Sequence, residues 1–184
     1  MITENYKKQL SNIHKKSNWG ANSRLSSPKV HNIPELIKRY NVETLIDFGC
    51  GQGGVHKYLE KKYNLKDATG YDPCVKTYEV LPQGVFDMLI SLDVLEHIEP
   101  DFIDDTLKLI NNKFKKISFL NIHTSKAKLI LPDGRNAHLI QEQPEWWKEK
   151  ISQFIEGNII EERWLPFNKN KHKNPVNYLF VIEK

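Results

Sequence analysis

The segment DFGCGQGG, residues 47–54, constrains the fold of this chain more than any other feature. It follows a short apolar run and precedes VHKYLEKKY, in which apolar residues recur at helical spacing. Glycine has no Cβ atom, so the backbone can turn tightly here and a ligand can press against it. A buried strand, a glycine-rich loop and a helix in this order are typical of nucleotide-binding α/β units. A purely structural turn is the alternative.

Segments of strand and helix character alternate along almost the whole chain. Predicted strands span residues 43–49, 67–72, 86–92, 115–122, 158–165 and 176–183, and predicted helices span 28–40, 53–63, 100–114 and 143–155. This alternation predicts an α/β fold: a Rossmann-like, doubly wound, mostly parallel sheet of six to seven strands with helices on both faces. No helix separates the last two strands, so we expect an antiparallel hairpin at one edge. Ligands of such sheets bind at the carboxyl ends of the strands.

Length and composition limit the class of protein. The 184 residues suit one domain, assigned to 28–184, with an N-terminal extension over 1–27 in which Trp19 could belong to a lid. No apolar run approaches the roughly 18 residues of a membrane span. The N-terminus has no signal-peptide core, and the two cysteines give no disulfide framework. We therefore expect a cytoplasmic protein without membrane partners. The net charge of +4 is spread out, which favours a solvated surface over a basic rim for RNA.

Two acidic residues decide between the ligand classes that the glycine loop allows. Asp72 ends the second predicted strand, where a carboxylate accepts hydrogen bonds from ribose hydroxyls. Asp47 lies two residues before the first glycine, where its charge would repel a pyrophosphate but attract an amine. S-adenosylmethionine has a ribose, an amino group and no phosphate, so it satisfies both carboxylates. Gly49, Gly51 and Gly54 also match G-x-G-x-x-G, which keeps a dinucleotide as the alternative.

Two motifs resemble those of class I S-adenosylmethionine-dependent methyltransferases. DFGCGQG resembles their motif I, D/E-x-G-x-G-x-G, and FDMLISLDVLEHI resembles the fourth-strand segment of the type 11 subgroup. The resemblance covers residues 43–125, and the whole chain is similar to methyltransferase-domain proteins of bacteria and phages. It implies a methyltransferase that uses S-adenosylmethionine, with in-line attack on the sulfonium methyl group.

The resemblance also implies which residues bind the cofactor. Asp47 would face the methionine amino group, Asp72 would hold the ribose hydroxyls, and Pro73 would flank the adenine. The other implied cofactor-binding residues are Gly49, Cys50, Gly51 and Gly53 in the loop, Leu81 through its backbone, and Leu92 and Asp93 beneath the sulfonium. Only 13 residues separate Asp72 from Phe86, where the family usually has a helix and a further strand. A sheet of six strands is therefore one of the expected outcomes.

A cluster of ionisable residues follows the third predicted strand. Asp93, Glu96 and His97 are spaced i, i+3 and i+4, so they would share one face of a short helix. With His138 they form a candidate site for Mg²⁺ or Mn²⁺, because carboxylates and imidazoles are suitable ligands for such ions. The simpler interpretation is a capping box, with Asp93 as N-cap, Glu96 three residues later and His97 in the core. In a third interpretation, His97 or His123 is the general base and Glu96 orients it.

The same cluster resembles that of metal-dependent small-RNA 3′-end 2′-O-methyltransferases. They carry a similar acid-x-x-Glu-His, followed by a histidine shortly before a Glu-Trp pair, and here the later elements are His138 and Glu145-Trp146. The polar loop after the fourth predicted strand lies where substrate loops of this fold occur. Arg135, Asn136 and Trp146 are therefore candidate substrate contacts, with Arg135 available to a carboxylate or a phosphate.

These features predict an S-adenosylmethionine-dependent methyltransferase that methylates a hydroxyl of a small molecule, a sugar or an RNA ribose. The candidate catalytic residues are Glu96, His97 and His123. The expected partner is thus a small-molecule or nucleic-acid substrate. An NAD-type oxidoreductase and a non-catalytic cofactor-binding module are the alternatives. Calorimetry distinguishes a methyltransferase from the oxidoreductase, because a methyltransferase should bind S-adenosylhomocysteine but not NADH.

Overall fold

The computed structural model describes residues 2–16, 32–166 and 174–184, and these residues contain one six-stranded sheet. The strands are β1 (Thr44–Phe48), β2 (Asp67–Tyr71), β3 (Phe86–Leu92), β4 (Phe114–His123), β5 (Asn158–Trp164) and β6 (Asn177–Glu183). Their order is β2-β1-β3-β4-β6-β5. The first four in this order are parallel, and β6 is antiparallel to both β4 and β5. The predicted Rossmann-like sheet with an antiparallel edge is confirmed.

Helices cover both faces of the sheet, because the buried strands are apolar on both sides. Helices α2 (Ile33–Arg39) and α3 (Gly54–Tyr63) pack on one face, and α4 (Ile103–Asn111) and α5 (Pro144–Phe154) pack on the other. Strand β3 buries its first six residues in succession, as expected for a strand covered on both faces. Within the described segments, no helix is both long and apolar enough to cross a bilayer.

Two local differences from the predicted elements have clear causes. Residues 73–85 contain neither helix nor strand, so the sheet has six strands. The predicted helix over 100–114 divides into a 3₁₀ turn at Pro100–Phe102 and α4, and Phe114 begins β4 because its backbone pairs with Phe86 of β3. Pro28, the predicted start of α2, and Trp19 both lie outside the described residues.

Helix α1 (Glu4–Lys16) lies against the loops that follow three parallel strands. Ser11 donates a hydrogen bond of 3.0 Å to the carbonyl of Cys74, after β2. The Tyr6 hydroxyl donates one of 2.9 Å to the carbonyl of His97, after β3, and Gln9 donates one of 2.8 Å to Asp133, after β4. The helix therefore spans the carboxyl edge of the sheet.

Asp87, near the start of β3, stabilises the opposite edge of the sheet. Its Oδ2 accepts hydrogen bonds from the backbone N–H groups of Glu43 (2.8 Å) and Thr44 (3.2 Å), and its Oδ1 lies 3.1 Å from the Lys116 ammonium. Burial raises the pKa of this carboxyl group, but the hydrogen bonds from Glu43, Lys116 and Thr44 outweigh burial and lower the pKa to about 2. The ionised form is thus favoured in the folded protein.

Replacing Asp87 with asparagine should lower the free energy of unfolding by about 2 kcal/mol at neutral pH. Because the folded-state pKa lies below the ordinary value of 3.8, this contribution is present above about pH 4 and is lost as the pH falls towards 2. Urea denaturation of both proteins across this range measures the difference, with the exposed Asp101→Asn as a control. Equal stability losses in the two variants would contradict this role of Asp87.

Candidate active site

The strand order creates a crevice between the carboxyl ends of β1 and β3. Helix α3 leads from β1 to β2 on one side, and the chain then crosses to β3 on the other side of β1. Ligands of open α/β sheets bind at such a reversal. The glycine loop follows β1 at this point, and the segment that begins with Asp93 follows β3. The two sequence motifs therefore meet at one place in the fold.

The glycine loop adopts a backbone that requires glycine. Gly49, Gly51 and Gly53 have φ angles of 79°, 52° and 76°, in the left-handed region that side chains rarely adopt. A Cβ atom at Gly49 would lie 2.3 Å from the side chain of Val94, so glycine lets the loop pack against the segment after β3. The N–H of Gly49 donates a hydrogen bond of 2.7 Å to the carbonyl of Tyr71, which ties the loop to the end of β2.

Asp72 connects the end of β2 to the glycine loop. Its Oδ2 accepts a hydrogen bond of 2.9 Å from the N–H of Gly51, and its Oδ1 accepts one of 2.9 Å from the N–H of Cys74. Burial and the Asp72 charge raise the pKa of the Cys74 thiol to about 12, and burial with Asp47 and Asp72 raises the pKa of the Cys50 thiol further. Both thiols therefore stay protonated and are poor nucleophiles.

Asp47 is buried beneath the glycine loop. Its Oδ2 lies 3.5 Å from Nδ1 of His56, in the first turn of α3. Among the described residues neither of these two atoms has a hydrogen-bond partner of good geometry. Burial raises the pKa of the Asp47 carboxyl group, while contact with His56 lowers it. A buried carboxylate oxygen with remaining capacity to accept a hydrogen bond fits an amine-bearing ligand.

Three further predicted cofactor-binding residues are half-buried. Pro73 directly follows Asp72, and Leu92 is the last residue of β3, where it packs against the core on the α2 and α3 side. Leu81 packs against the core on the α4 and α5 side.

Asp93 turns the chain sharply after β3. It has a φ of 56°, which non-glycine residues rarely adopt, and its Oδ1 accepts hydrogen bonds from the amides of Asn121 (2.5 Å) and Asn177 (2.8 Å). The capping-box interpretation is wrong. The following 3₁₀ turn, Leu95–His97, has Val94 as its N-cap and no side-chain cap, because the Asp93 carboxylate binds the two amides instead.

Three of the four predicted metal ligands come together after β3. Glu96, His97 and His138 each contribute one ligand atom, and these atoms lie within 4.8 Å of one another. Glu96 and His138 are buried, and His97 is half-buried. The His138 ring also contacts the ring of His123, with centroids 4.5 Å apart. Asp93 is outside this group, as the hydrogen bonds to its carboxylate imply.

Backbone carbonyls orient both imidazoles of this group. Nδ1 of His97 lies 2.7 Å from the carbonyl oxygen of Ala137, and Nδ1 of His138 contacts that of Ser125. A carbonyl only accepts hydrogen bonds, so Nδ1 carries a proton in each ring and Nε2 is the nitrogen left for other contacts. Burial and the neighbouring His138 lower the pKa of His97 to about 4, so its ring is neutral at pH 7. Metal-binding histidines usually have this arrangement.

Asn136 shapes the loop that carries His138. Its side-chain amide donates to the carbonyl of Ala127, while its Oδ1 accepts hydrogen bonds from the N–H groups of Ala127 and His138. Beyond it, the N–H of Ile140 donates to the carbonyl of Glu96 at 3.0 Å. The predicted substrate contact at Asn136 is thus used to fold the loop, and this folding brings His138 to Glu96.

The other two predicted substrate contacts also make internal contacts. Arg135 donates two hydrogen bonds, of 2.9 and 2.8 Å, to Asp133, and its guanidinium lies 5.2 Å from the centroid of the Tyr6 ring. Trp146 lies on α5 with its ring 5.0 Å from that of Trp147, in a T-shaped contact, and packs on the core.

Sequence reasoning did not single out four residues of this region. Asn121 is a fully buried amide within the apolar strand β4, and this polar residue in an apolar run was a usable signal. His56 is buried in α3 together with the apolar Val55 and Leu59, and this pattern was a weaker signal. Tyr6 and Asn177 carry no local signal, because their contacts are to distant loops and strands.

Comparison with known proteins agrees with this architecture. A family model described as a methyltransferase domain matches residues 19–169. The methyltransferase domain of bacterial CtHen1-CN is 14% identical, with a TM-score of 0.65 over 88% of this chain and 100% of that domain. Burkholderia thailandensis 1,6-didemethyltoxoflavin-N1-methyltransferase, solved with S-adenosylhomocysteine, is 13% identical, with a TM-score of 0.65 over 100% of this chain and 91% of its own.

A third solved structure is the S-adenosylmethionine-dependent methyltransferase of Clostridium acetobutylicum, which is 13% identical, with a TM-score of 0.62 over 98% of this chain and 99% of its own. No curated protein sequence matches the chain. The family model covers most of the chain, and the three solved methyltransferase structures share its fold. The chain therefore belongs to the methyltransferase-domain family, and it is a class I S-adenosylmethionine-dependent methyltransferase.

Proposed function

We propose that this methyltransferase methylates a hydroxyl oxygen with the help of a divalent metal ion held by Glu96, His97 and His138. One observation carries the proposal: three ligand atoms from these residues lie within 4.8 Å of one another beside the crevice at the end of β3. The two histidines are 41 residues apart in sequence (138 − 97), so a folded loop is needed to bring them together.

The donor set fits a metal ion. It consists of one carboxyl side chain and two imidazoles, and each imidazole has its Nδ1 against a backbone carbonyl, which leaves Nε2 for an ion. A mixed oxygen and nitrogen set favours Mn²⁺ or another first-row ion over Mg²⁺, which prefers oxygen ligands. A bound ion would hold a substrate oxygen and lower the pKa of the attacking hydroxyl.

The cofactor would lie along the crevice between β1 and β3. Asp72 would accept hydrogen bonds from the ribose, since each of its oxygens accepts one backbone N–H and has a second lone pair. Asp47 would accept from the methionine ammonium, and the backbone of the glycine loop would approach the ligand closely. When bound, S-adenosylmethionine supplies an electrophilic methyl group. The protein's own contribution is to position the two reactants and to exclude water.

Helix α1 would serve as the lid of this site. It contacts the loop that follows Asp72 through Ser11 and the metal-binding segment through Tyr6, so it bridges the cofactor and acceptor sides. The acceptor itself is a small molecule, a sugar or an RNA ribose. A hydroxyl acceptor is favoured over an amine because a metal ion assists catalysis by holding and deprotonating an oxygen. The similar Burkholderia thailandensis protein is an N-methyltransferase by name, so the amine acceptor needs a direct test.

Chelation tests the metal. We expect the protein treated with EDTA to bind S-adenosylhomocysteine normally but to transfer no labelled methyl group to diol-bearing small molecules, sugars or short RNA. Added Mn²⁺ should restore transfer to one of these acceptor classes. Methyl transfer that persists in EDTA would contradict the proposed role of the metal ion. Transfer confined to amine acceptors would contradict O-methylation.

The second candidate mechanism uses a histidine as a general base without a metal ion, and the surroundings of His123 favour it. His123 contacts His138, and its Nδ1 lies near the carbonyl (3.1 Å) and the N–H (3.2 Å) of Ser125. An imidazole placed beside the crevice could take the proton from an acceptor hydroxyl. Under this alternative, chelation has no effect and His123→Ala abolishes transfer.

A further inference from the structure

The imidazole of His56 is enclosed between the glycine loop and strand β2. A Cβ atom at Gly53 would lie 2.7 Å from its Cε1, and one at Gly70 would lie 2.5 Å from the same atom. The ring of Tyr78 meets it edge-on, with centroids 5.3 Å apart. The two glycines leave the space that this ring fills, so its position is fixed by its surroundings.

The enclosed ring faces the Asp47 carboxylate. Nδ1 and Oδ2 are 3.5 Å apart, and both atoms are buried. A distance of 3.5 Å is at the outer limit for a hydrogen bond. A small shift of the carboxylate would complete this bond, while a second lone pair on the same oxygen could accept from a ligand. His56 is therefore the residue best placed to set the direction of the Asp47 side chain.

We propose that His56 is a positioning residue for the cofactor: its Nδ1–H holds the Asp47 carboxylate in the direction that accepts the α-ammonium group of the methionine end. The inference rests on the proposed contact between Asp47 and that ammonium. It assigns a role to a helix residue behind the glycine loop, and it is independent of the metal site. Removing the Nδ1 donor should weaken the binding of ligands that carry the ammonium group and leave the binding of ligands that lack it unchanged.

Calorimetry with two ligands tests this split in the full-length protein. S-adenosylhomocysteine carries the amino acid end, and 5′-methylthioadenosine lacks it. His56→Leu should lower the affinity for S-adenosylhomocysteine about tenfold, the effect of one hydrogen bond to a charged group. Its affinity for 5′-methylthioadenosine should change less than about twofold. Equal losses for both ligands, or no loss for either, would overturn the role.

Two polar variants separate positioning from packing. Asparagine places an amide nitrogen close to the position of Nδ1, so His56→Asn should retain most of the affinity for S-adenosylhomocysteine. His56→Gln places its amide nearer to Nε2 and should lose affinity as leucine does. If His56→Leu does not fold, the difference in affinity between His56→Asn and His56→Gln still tests the inference. Equal affinities of these two variants would overturn it.

Asp47→Asn distinguishes this inference from the proposed cofactor contact. If Asp47→Asn binds S-adenosylhomocysteine as tightly as the wild type does, the contact with Asp47 is wrong and the role of His56 is overturned with it. If Asp47→Asn weakens that ligand and His56→Gln does not, only the role of His56 is overturned. We expect Asp47→Asn and His56→Gln each to lower the affinity for S-adenosylhomocysteine. The variant that combines both substitutions should lose no more affinity than Asp47→Asn alone.

Discussion

Glu96→Gln should abolish divalent metal binding and methyl transfer while S-adenosylhomocysteine still binds. The substitution keeps the size of a fully buried side chain and removes the charge that one ligand atom of the group provides. Metal assistance contributes several kcal/mol to a transition state, so its loss should lower the rate by more than about 100-fold. Calorimetric titration with Mn²⁺ and calorimetry with S-adenosylhomocysteine measure the two binding steps separately.

Glu99→Gln is a matched control, because this carboxylate lies three residues further along the same segment. It accepts hydrogen bonds from the N–H and hydroxyl of Thr3 and is outside the cluster. It should bind Mn²⁺ as the wild type does. His97→Ala should behave as Glu96→Gln does. If His97→Ala only lowers the melting temperature, the cluster is a packing feature and the proposed metal site is wrong.

Asp72→Ala should lower the affinity for S-adenosylmethionine by more than about tenfold, because hydrogen bonds to a charged group contribute about 1.5–3 kcal/mol. The carboxylate accepts hydrogen bonds from the N–H groups of Gly51 and Cys74 and would accept the ribose hydroxyls as well. Its removal therefore loosens the glycine loop and deletes a direct contact. Isothermal titration calorimetry measures the affinity.

The control is Asp67→Ala, which removes an exposed carboxylate from the other end of the same strand. That variant should bind the cofactor normally, because Asp67 lies at the amino edge of the sheet. Unchanged affinity in Asp72→Ala would place the nucleotide elsewhere. A comparable loss in both variants would indicate a general effect on strand β2.

The strands and helices were predictable because their signals are local. Strand β3, FDMLISL, is a continuous apolar run, as a strand buried on both faces must be. The sequence has no helical pattern between β5 and β6, which correctly implied an antiparallel pair, since parallel neighbours need a long crossover. Phe114 was assigned to a helix by its spacing, but backbone pairing with Phe86 makes it the first residue of β4.

The candidate site likewise contains contacts that were predictable from the sequence and contacts that were not. The glycine loop and Asp72 are close in sequence and belong to one strand-helix-strand unit, so their meeting could be expected. Asp93 was expected among the metal ligands from its spacing to Glu96. Two amides from distant strands, Asn121 and Asn177, bind its carboxylate instead, and no local pattern could indicate them.

By itself, the sequence determined the doubly wound sheet and the cofactor class. Alternating apolar segments, left-handed glycines and strand-terminal acids act through contacts between near neighbours in the chain. Only the tertiary structure decided which ionisable groups meet. His97 contacts the carbonyl of Ala137, 40 residues further along the chain, and Asn136 folds the loop that makes this possible. Such contacts depend on the path of a whole loop over the sheet, and spacing along the sequence does not specify that path.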